Sequence, residues 1–321
     1  MAGALERNQA WVYLLAMAAG LTVGGHATGH TGHWEPWLWP LLGALLFTTF
    51  TQVPLTRLGQ SFRDRRFMGA LLAGNFVLVP LMVWALLWLL PHDPAIRLGV
   101  LLVLLVPCTD WFISFTHLGR GDATRAIAAA PVLLMAQLLL LPLYLWWFMG
   151  DLALELTLAS QLLPAFSGLI LTPLALAWLT QRWAQNHSRR QAGVQWLGVL
   201  PVPLLALVVF LIAGSQVHIV TDNHRLLGGV AVVFVLYLLA AAVAGKALGR
   251  IFGLPFTAAR TLVFSLGTRN SFVMLPLALS LPEAWRGAAV VIVCQSLVEL
   301  FGMLVFVRGV PEHLIREPTE S

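Results

Sequence analysis

The chain has 321 residues, of which 59% are hydrophobic and 10% are charged, and its formal net charge is +5. Soluble domains carry about 25% charged residues, so this composition excludes an ordinary soluble domain and indicates a protein embedded in a membrane. The basic residues fall in short segments between apolar runs. The positive charge is therefore interpreted as a signal of membrane orientation, and no nucleic-acid partner is expected.

Ten apolar segments are long enough to be membrane-spanning helices, which need about 20 residues each. They cover residues 9–25, 36–53, 67–90, 96–117, 124–149, 157–180, 194–216, 225–247, 256–280 and 285–307. The first segment also fits the apolar part of a cleaved signal peptide, but the count of spans works better if it is retained. No long polar segment separates the spans, so the sequence predicts one transmembrane domain over residues 1–321.

The distribution of Lys and Arg between the loops supports this count. With the N-terminus placed in the cytoplasm, fifteen basic residues lie in the inside loops and termini, whereas Arg97, Arg225 and Arg286 lie outside. This bias follows the positive-inside rule. The sequence therefore predicts an integral, multi-pass protein of the plasma (inner) membrane with both termini in the cytoplasm.

The fourth and ninth predicted spans, five spans apart, resemble each other. Both carry polar residues and a helix breaker in the middle, and each is followed by a span with a central glutamine, Gln137 or Gln295. Because five is odd, the two halves would have opposite orientations in the membrane, as in the inverted repeats of secondary transporters. The predicted fold is an all-α polytopic membrane protein with ten transmembrane helices in two inverted five-helix repeats, at about 9–149 and 157–307.

Helices 4 and 9 of this fold are predicted to be broken and crossed. Pro107 lacks an amide hydrogen and disfavours a continuous helix, and Gly267 could interrupt the ninth span in the same way. Backbone groups freed at membrane depth are satisfied only by protein or by a water-filled cavity. We expect the two interruptions to meet near the midplane and form a polar site. In the alternative interpretation, Pro107 only kinks one helix and Gly267 only packs against a neighbour.

Asp110 and Arg269 are the ionisable residues nearest the predicted crossing. A lone charge at the bilayer centre costs about 2.5–3.5 kcal/mol by insertion scales, and such residues usually pair or mark a pathway. We expect both to border a central cavity and to pair in one state of a transport cycle. A purely structural ion pair is the alternative.

Further polar residues on these spans and their neighbours complete the predicted site. Cys108 is either a ligand for a thiophilic solute or a small buried hydrophobe, whereas Cys294 is interpreted as packing. Glu299 either carries a proton or lies near the lipid boundary. The predicted substrate-binding residues are Cys108, Thr109, Asp110, Arg269, Asn270 and Ser271, and the predicted ion-coupling residues are Asp110, Asn75, Gln137, Gln295 and Glu299.

Metal and nucleotide chemistry are not expected. His26, His30 and His33 fall in the first outside loop, but a zinc site needs four ligands, so these histidines are interpreted as solvated. The chain has no GxSxG, HExxH or Walker-type glycine loop, motifs that carry hydrolase, zinc-protease and nucleotide chemistry. We therefore predict no enzyme and no cofactor, with a proton or a sodium ion as the coupling ion.

Two stretches resemble the arsenical-resistance permease branch of the bile acid:sodium symporter (BASS) superfamily. TRLGQSFRDRRFMGALLAGNFVLVPLMVWALLWLL (56–90) is similar to the second loop and third span of that branch, and PCTDWFISFTHLGRGD (107–122) is similar to its proline-cysteine motif. The resemblance covers nearly the whole chain and implies ten spans in a core and a panel domain. It places Cys108 on the cysteine that arsenite permeases need and Asn270 on the asparagine of the ninth-span break.

Several positions depart from the family pattern. Phe272 stands where arsenite permeases carry a glutamate, and Ser265 and Arg269 stand where sodium symporters carry a glutamate and a glutamine. The missing carboxylate weakens the case for one sodium site, and the arginine indicates a fixed cation in place of a bound one. Asp110 is not part of the usual arsenite motif, which leaves the substrate open.

The expected function is secondary active transport of a small solute by alternating access. Proton-coupled efflux of arsenite or another oxyanion is favoured, and sodium-coupled uptake of an organic anion resembling a bile acid is the alternative. A polytopic membrane enzyme using 108–110 is less expected, because such enzymes usually show His or Asp clusters at the membrane interface. The expected partners are the small-molecule or oxyanion substrate and the lipid bilayer, with no obligate protein partner evident.

Overall fold

The computed structural model describes residues 2–26, 35–52, 64–109, 111–150, 168, 171–215 and 224–317. The regular structure in these residues is helical, and the extended pairing among them is one isolated antiparallel β-bridge between Pro107 and Arg269. The helices are α1 (Ala2–His26), α2 (Glu35–Gln52), α3 (Arg65–Leu87), α4 (Pro94–Leu104), α5 (Trp111–Leu118), α6 (Ala123–Met149), α7 (Thr172–Ala184), α8 (Ser188–Leu197), α9 (Pro201–Ser215), α10 (His224–Ile251), α11 (Phe256–Gly267), α12 (Ser271–Leu279) and α13 (Gly287–Gly309).

Several helices have the length and apolar character needed to cross a membrane. Five such stretches are present among the described residues, and the prediction of an all-helical membrane protein is confirmed by them. They are Arg65–Leu87, Ala123–Met149, Ser188–Leu211, Leu227–Ile251 and Glu283–Leu314. The predicted sixth span, 157–180, lies largely outside the described residues, and only its last part is seen as α7.

The helices pack in two groups. The panel group consists of α1, α2, α7, α8 and α9, with α1 against α9 and α2 against both α7 and α9. The crossing group consists of α3 to α6 and α10 to α13, in which α13 packs against α4, α10 and α12. The groups meet where α2 contacts α12 and where the ring of Tyr13 stacks on Trp111 with centroids 5.7 Å apart. This grouping agrees with the core and panel that the resemblance implied.

Two glycines allow helices of the crossing group to approach closely. A Cβ atom on Gly99 of α4 would lie 2.8 Å from the carbonyl oxygen of Ala288 on α13. A Cβ atom on Gly245 of α10 would lie 2.8 Å from the Cα atom of Val263 on α11. Small residues at helix contacts in membranes let the backbones come together. These contacts hold α4 and α11, the helices that lead into the site, against their neighbours.

Helix α3 contains a π-helical turn over Gly74–Leu78. Such turns are usually found at functional sites, because the extra residue redirects a side chain without ending the helix. Asn75 lies in this turn and is fully buried. Its amide Nδ2 donates to the carbonyl of Leu71 over 3.1 Å and to Ser265 Oγ on α11 over 3.0 Å.

Candidate functional site

The first interruption separates α4 from α5. Helix α4 is capped by Asp93, whose Oδ1 accepts hydrogen bonds from the amides of Ala95 and Ile96, and it ends at Leu104. Pro107 follows shortly afterwards and cannot donate the amide hydrogen that a continuing helix requires. Helix α4 has eleven residues and is therefore about 16 Å long at 1.5 Å per residue. This length is about half the hydrocarbon thickness of a bilayer.

The second interruption separates α11 from α12. Helix α11 ends at Gly267, and Thr268 adopts an extended conformation with φ −95° and ψ 132°. A Cβ atom on Gly267 would lie 2.8 Å from Met303 Cε and 3.1 Å from a ring carbon of Phe306, both on α13. The two interpretations of this glycine therefore both hold, since it ends the half-helix and also packs tightly against a neighbour.

The two interruptions meet and pair through their backbones. The amide of Cys108 donates to the carbonyl of Thr268 over 3.2 Å, and the amide of Asn270 donates to the carbonyl of Val106 over 2.8 Å. We refer to residues 105–109 and 268–270 as the crossing. The prediction that both helices are broken and that the breaks meet is confirmed. Pairing between the segments replaces part of the hydrogen bonding that each helix loses at its break.

The guanidinium group of Arg269 occupies the centre of the crossing and is 1% exposed. Its Nη2 donates to Asn75 Oδ1 over 2.8 Å, to the carbonyl of Ser265 over 2.7 Å and to that of Leu266 over 2.9 Å. Its Nη1 donates to the carbonyl of Leu104 over 3.3 Å. These carbonyls lie at the C-terminal ends of α11 and α4. The positive charge therefore lies at the negative ends of two helix dipoles.

The backbone amide of Arg269 binds a buried carboxylate. Glu299 on α13 is 1% exposed, and its Oε2 accepts from the amide of Arg269 over 2.8 Å and from Gln295 Nε2 over 2.6 Å. The Oε1 of Gln295 accepts in turn from the hydroxyl of Ser271 over 2.5 Å. The possibility that Glu299 lies near the lipid boundary is therefore wrong. The prediction that Asn75 reaches the crossing is confirmed by its bond to Arg269, whereas Gln295 binds Ser271 and Glu299 beside the crossing.

Polar atoms near the first interruption are less well satisfied. Thr109 is 1% exposed, and its hydroxyl has no hydrogen-bond partner among the described residues. Gln137, 2% exposed on α6, has a side-chain amide whose oxygen and nitrogen both lack partners within the same part of the chain. Helix α6 packs against both α4 and α5. Buried polar groups are nearly always hydrogen-bonded, so these atoms indicate a place for water or a ligand.

The crossing is closed to solvent in this conformation. Cys108, Thr109, Arg269, Asn270 and Ser271 are each no more than 2% exposed. A cavity of about 670 Å³ lies elsewhere, between α3, the start of α4 and the end of α6, and its lining includes Trp84, Trp88, Arg97 and Trp147. Arg269 does not line this cavity, and its expected place beside a central cavity stays a prediction.

Some predicted residues lie outside the part of the chain that the structure describes. Asp110 is one of them, so its expected pairing with Arg269 stays a prediction. His30 and His33 are also outside, and no cluster of three metal-ligating side chains occurs among the described residues. Cys294 on α13 is half-buried, and its Sγ lies 3.9 Å from the carbonyl of Leu227. This environment agrees with packing.

Sequence reasoning missed Tyr237 on α10. Its hydroxyl donates to the carbonyl of Leu266 over 2.7 Å, and its ring centroid lies 5.7 Å from the Arg269 guanidinium carbon. A cation near an aromatic face is attracted by the ring quadrupole. The chain has three tyrosines, and Tyr237 falls in the middle of the predicted eighth span. A lone hydroxyl at that depth is the signal that could have identified it.

Comparison with known proteins places the chain in a family. The family model described as "Sodium Bile acid symporter family" matches residues 39–223, more than half of the chain. The chain belongs to this family, and the resemblance found in the sequence is confirmed. Because the family is one of membrane transporters, membership also supports the expectation that the protein is not an enzyme.

The chain is also similar to a characterised relative from Corynebacterium glutamicum. It is 26% identical over 216 residues to the arsenical-resistance protein Acr3 of that organism, an alignment that covers 64% of this chain and 52% of the relative. The chain thus spans about half the length of the curated relative that it matches. This similarity agrees with the branch that the proline-cysteine motif indicated.

Proposed function

We propose that the protein is a secondary transporter that carries a small solute through the crossing by alternating access. The observation that carries this proposal is the pairing of two interrupted helices around a buried, charged centre. Broken helices at membrane depth are tolerated where they line a site, and substrate and ion sites of many transporters are built in this way. In this proposal the closed crossing is an occluded state, and motion between the panel and crossing groups opens it to either side.

We further propose that ten helices form two inverted repeats of five spans. The packing supports this, because each half contributes first to the panel group and then to the crossing group. In the first half α1 and α2 precede α3 to α6, and in the second half α7 to α9 precede α10 to α13. Each half then has one interrupted segment followed by a helix with a buried glutamine, Gln137 or Gln295. The proposed orientation places both termini in the cytoplasm.

The solute is proposed to bind at the first interruption. Thr109 and Gln137 carry buried polar atoms without partners among the described residues, and Cys108 places a buried thiol, outside any disulfide, next to Thr109. A solute that forms hydrogen bonds would supply partners for Thr109 and Gln137, and one that also binds sulfur would be attracted to the Cys108 thiol. Arsenite or a related oxyacid has this chemistry, and the similarity to the arsenical-resistance protein of C. glutamicum supports it. Glu299 and Asp110 are the proposed carriers of the coupling proton.

The test is arsenite transport by the purified full chain in proteoliposomes, with and without a proton gradient. We expect transport that is accelerated by the gradient. Cys108→Ser is expected to reduce the rate at least about tenfold, and Cys294→Ser is the matched control because it removes the other thiol, whose Sγ lies beside the Leu227 carbonyl on α10. A tenfold loss corresponds to about 1.4 kcal/mol. Equal rates in the two variants would contradict the proposed role of Cys108.

Sodium-coupled transport of an organic anion is the second candidate. The family description, which names sodium and bile acid, favours it, and the positive charge of Arg269 offers an attraction for an anion. The same proteoliposomes distinguish the two candidates when a sodium gradient and an organic anion replace the proton gradient and arsenite. Transport lost in Arg269→Ala and retained in Cys108→Ser would favour the organic anion.

A further inference from the structure

The environment of the Arg269 guanidinium has the composition of a monovalent cation site. Four oxygen atoms surround its two terminal nitrogens, namely the Asn75 amide oxygen and the carbonyls of Leu104, Ser265 and Leu266. Three of the four are main-chain carbonyls at helix C-termini. Such carbonyls lack the amide partners of an intact helix and in membrane transporters they coordinate cations. Here a side chain of the protein supplies the positive charge.

A carboxyl group also contacts Arg269. Glu299 binds the backbone amide of Arg269, so one carboxylate and one guanidinium share the centre of the crossing. A second cation in the same group of carbonyls would be repelled by the guanidinium in a medium where charges are weakly screened. The hydroxyl of Tyr237 also donates to the Leu266 carbonyl, which reduces that oxygen's capacity to bind a metal ion.

We propose that Arg269 is a tethered cation that permanently fills the position that a metal cation would take at these helix ends. The crossing is consequently complete without sodium, and removing the guanidinium leaves a vacant cation site that takes free guanidinium or a small monovalent ion. The part of the inference that concerns the coupling ion rests on the proposed transport function. The part that concerns the vacant cation site is tested by stability measurements, which need no transport.

The first measurement is the thermal unfolding midpoint of the purified wild-type chain in detergent, followed by tryptophan fluorescence. Sodium, potassium and choline chloride are compared at equal ionic strength. A cation that binds only the folded state raises the midpoint in a saturable way. We expect the same midpoint in all three salts. A saturable rise that is specific to sodium would overturn the inference, and this outcome needs no variant.

The second measurement is chemical rescue of Arg269→Ala. We expect its midpoint to fall by several degrees and to rise saturably with guanidinium at millimolar concentrations, far below those that denature. Arg97→Ala is the matched control, because Arg97 lies in the first turn of α4, at the end opposite the crossing, and its Nε donates to the Pro91 carbonyl. Neither this control nor the wild type is expected to respond. Absence of a response specific to Arg269→Ala would overturn the inference.

Arg269→Lys and Arg269→Gln serve if the alanine variant does not fold. Lysine keeps a tethered charge, so we expect it to stay folded without sodium and to have a higher midpoint than glutamine. A glutamine variant as stable as the wild type would overturn the inference. Transport by the wild type distinguishes a failure of the tethered-cation inference from a failure of the proposed transport function. If transport strictly requires a sodium gradient, the tethered-cation inference is wrong. If no transport occurs but guanidinium still rescues Arg269→Ala, only the transport proposal is wrong.

Discussion

The two interruptions meet at one place but differ in how completely their polar side chains are hydrogen-bonded. At the second interruption, Arg269 binds Asn75 and three carbonyls through its terminal nitrogens, Ser271 binds Gln295, and only the Nε of Arg269 lacks a partner among the described residues. At the first interruption, the Thr109 hydroxyl has no partner among the described residues, and neither does the side-chain amide of Gln137 on the adjoining helix.

This difference separates two roles within one crossing. At the second interruption four oxygen atoms hold the terminal nitrogens of Arg269, and only its Nε lacks a partner among the described residues, so this half is expected to stay fixed. The first interruption contains buried polar atoms whose partners are not protein groups of the described chain, so it is expected to be the half that takes up solute or water. The following substitutions test that division, starting with the largest expected effect.

Replacing Glu299 tests whether the second half is structural. Glu299→Leu leaves the Arg269 amide and Gln295 Nε2 without an acceptor, at about 1–3 kcal/mol for each group, and it also removes the buried carboxylate that accepts both bonds. The measurement is the free energy of unfolding or the thermal midpoint in detergent. Glu283→Gln is the control, because that carboxylate is 87% exposed and surface changes usually stay within about 0.5 kcal/mol. A small effect of Glu299→Leu would refute the structural interpretation.

The two glutamines offer a direct comparison between the halves. Gln295→Leu leaves Ser271 and Glu299 each without one hydrogen bond, at about 1–3 kcal/mol for each group. Gln137→Leu is expected to leave the midpoint unchanged or to raise it, because it removes a buried amide that has no partner in the described chain. The same change is expected to reduce transport. If Gln137→Leu destabilises as much as Gln295→Leu, the proposed difference between the halves is wrong.

Close packing of α4 on α13 is tested by Gly99→Ala. The added methyl group would lie 2.8 Å from the Ala288 carbonyl, a backbone atom that cannot move by rotating a side chain. Overpacking of this kind typically costs about 1–3 kcal/mol. Gly228→Ala on α10 is the control, since no atom lies within 4 Å of the added carbon. Equal midpoints for the two variants would show that α4 moves freely and that the first half is not held by this contact.

The smallest effect is expected at Asp64, outside the crossing. Its carboxylate accepts from the amide of Phe67 and pairs with Arg125 on α6, and the hydrogen bond from Phe67, followed by that from Arg125, lowers the pKa of Asp64 below 3.8. Its stabilisation is therefore fully present above the unfolded pKa and is lost as the pH falls through the lower folded pKa. Asp64→Asn should destabilise by less than about 1 kcal/mol at neutral pH, and the difference from wild type should vanish in acid. A difference that grows in acid would contradict this sign.

Local sequence was sufficient to locate the interruptions. Pro107 removes an amide donor within an apolar span, and the polar run from 268 to 271 follows a glycine at the corresponding place in the ninth span. These are short-range properties of the backbone, and they hold whatever packs around them. The membrane class and the family followed in the same way from apolar length and from the proline-cysteine motif.

The partners of the charged residues depended on the tertiary structure. Arg269 binds Asn75, 194 positions away, through its side chain and Glu299, 30 positions away, through its backbone amide. From the sequence alone, Arg269 is predicted to pair with Asp110, because both are charged residues near a helix break. Periodicity indicates which residues are buried but not which helices adjoin, so it could not place Glu299 beside the crossing or Tyr237 beside the guanidinium. By itself the sequence determined that two helices must break inside the membrane, because proline, glycine and buried charge oppose a continuous apolar helix. Only the packing of α3, α10 and α13 around those breaks decided which groups bind Arg269, because hydrogen-bond partners at long sequence separation are set by geometry rather than by local pattern.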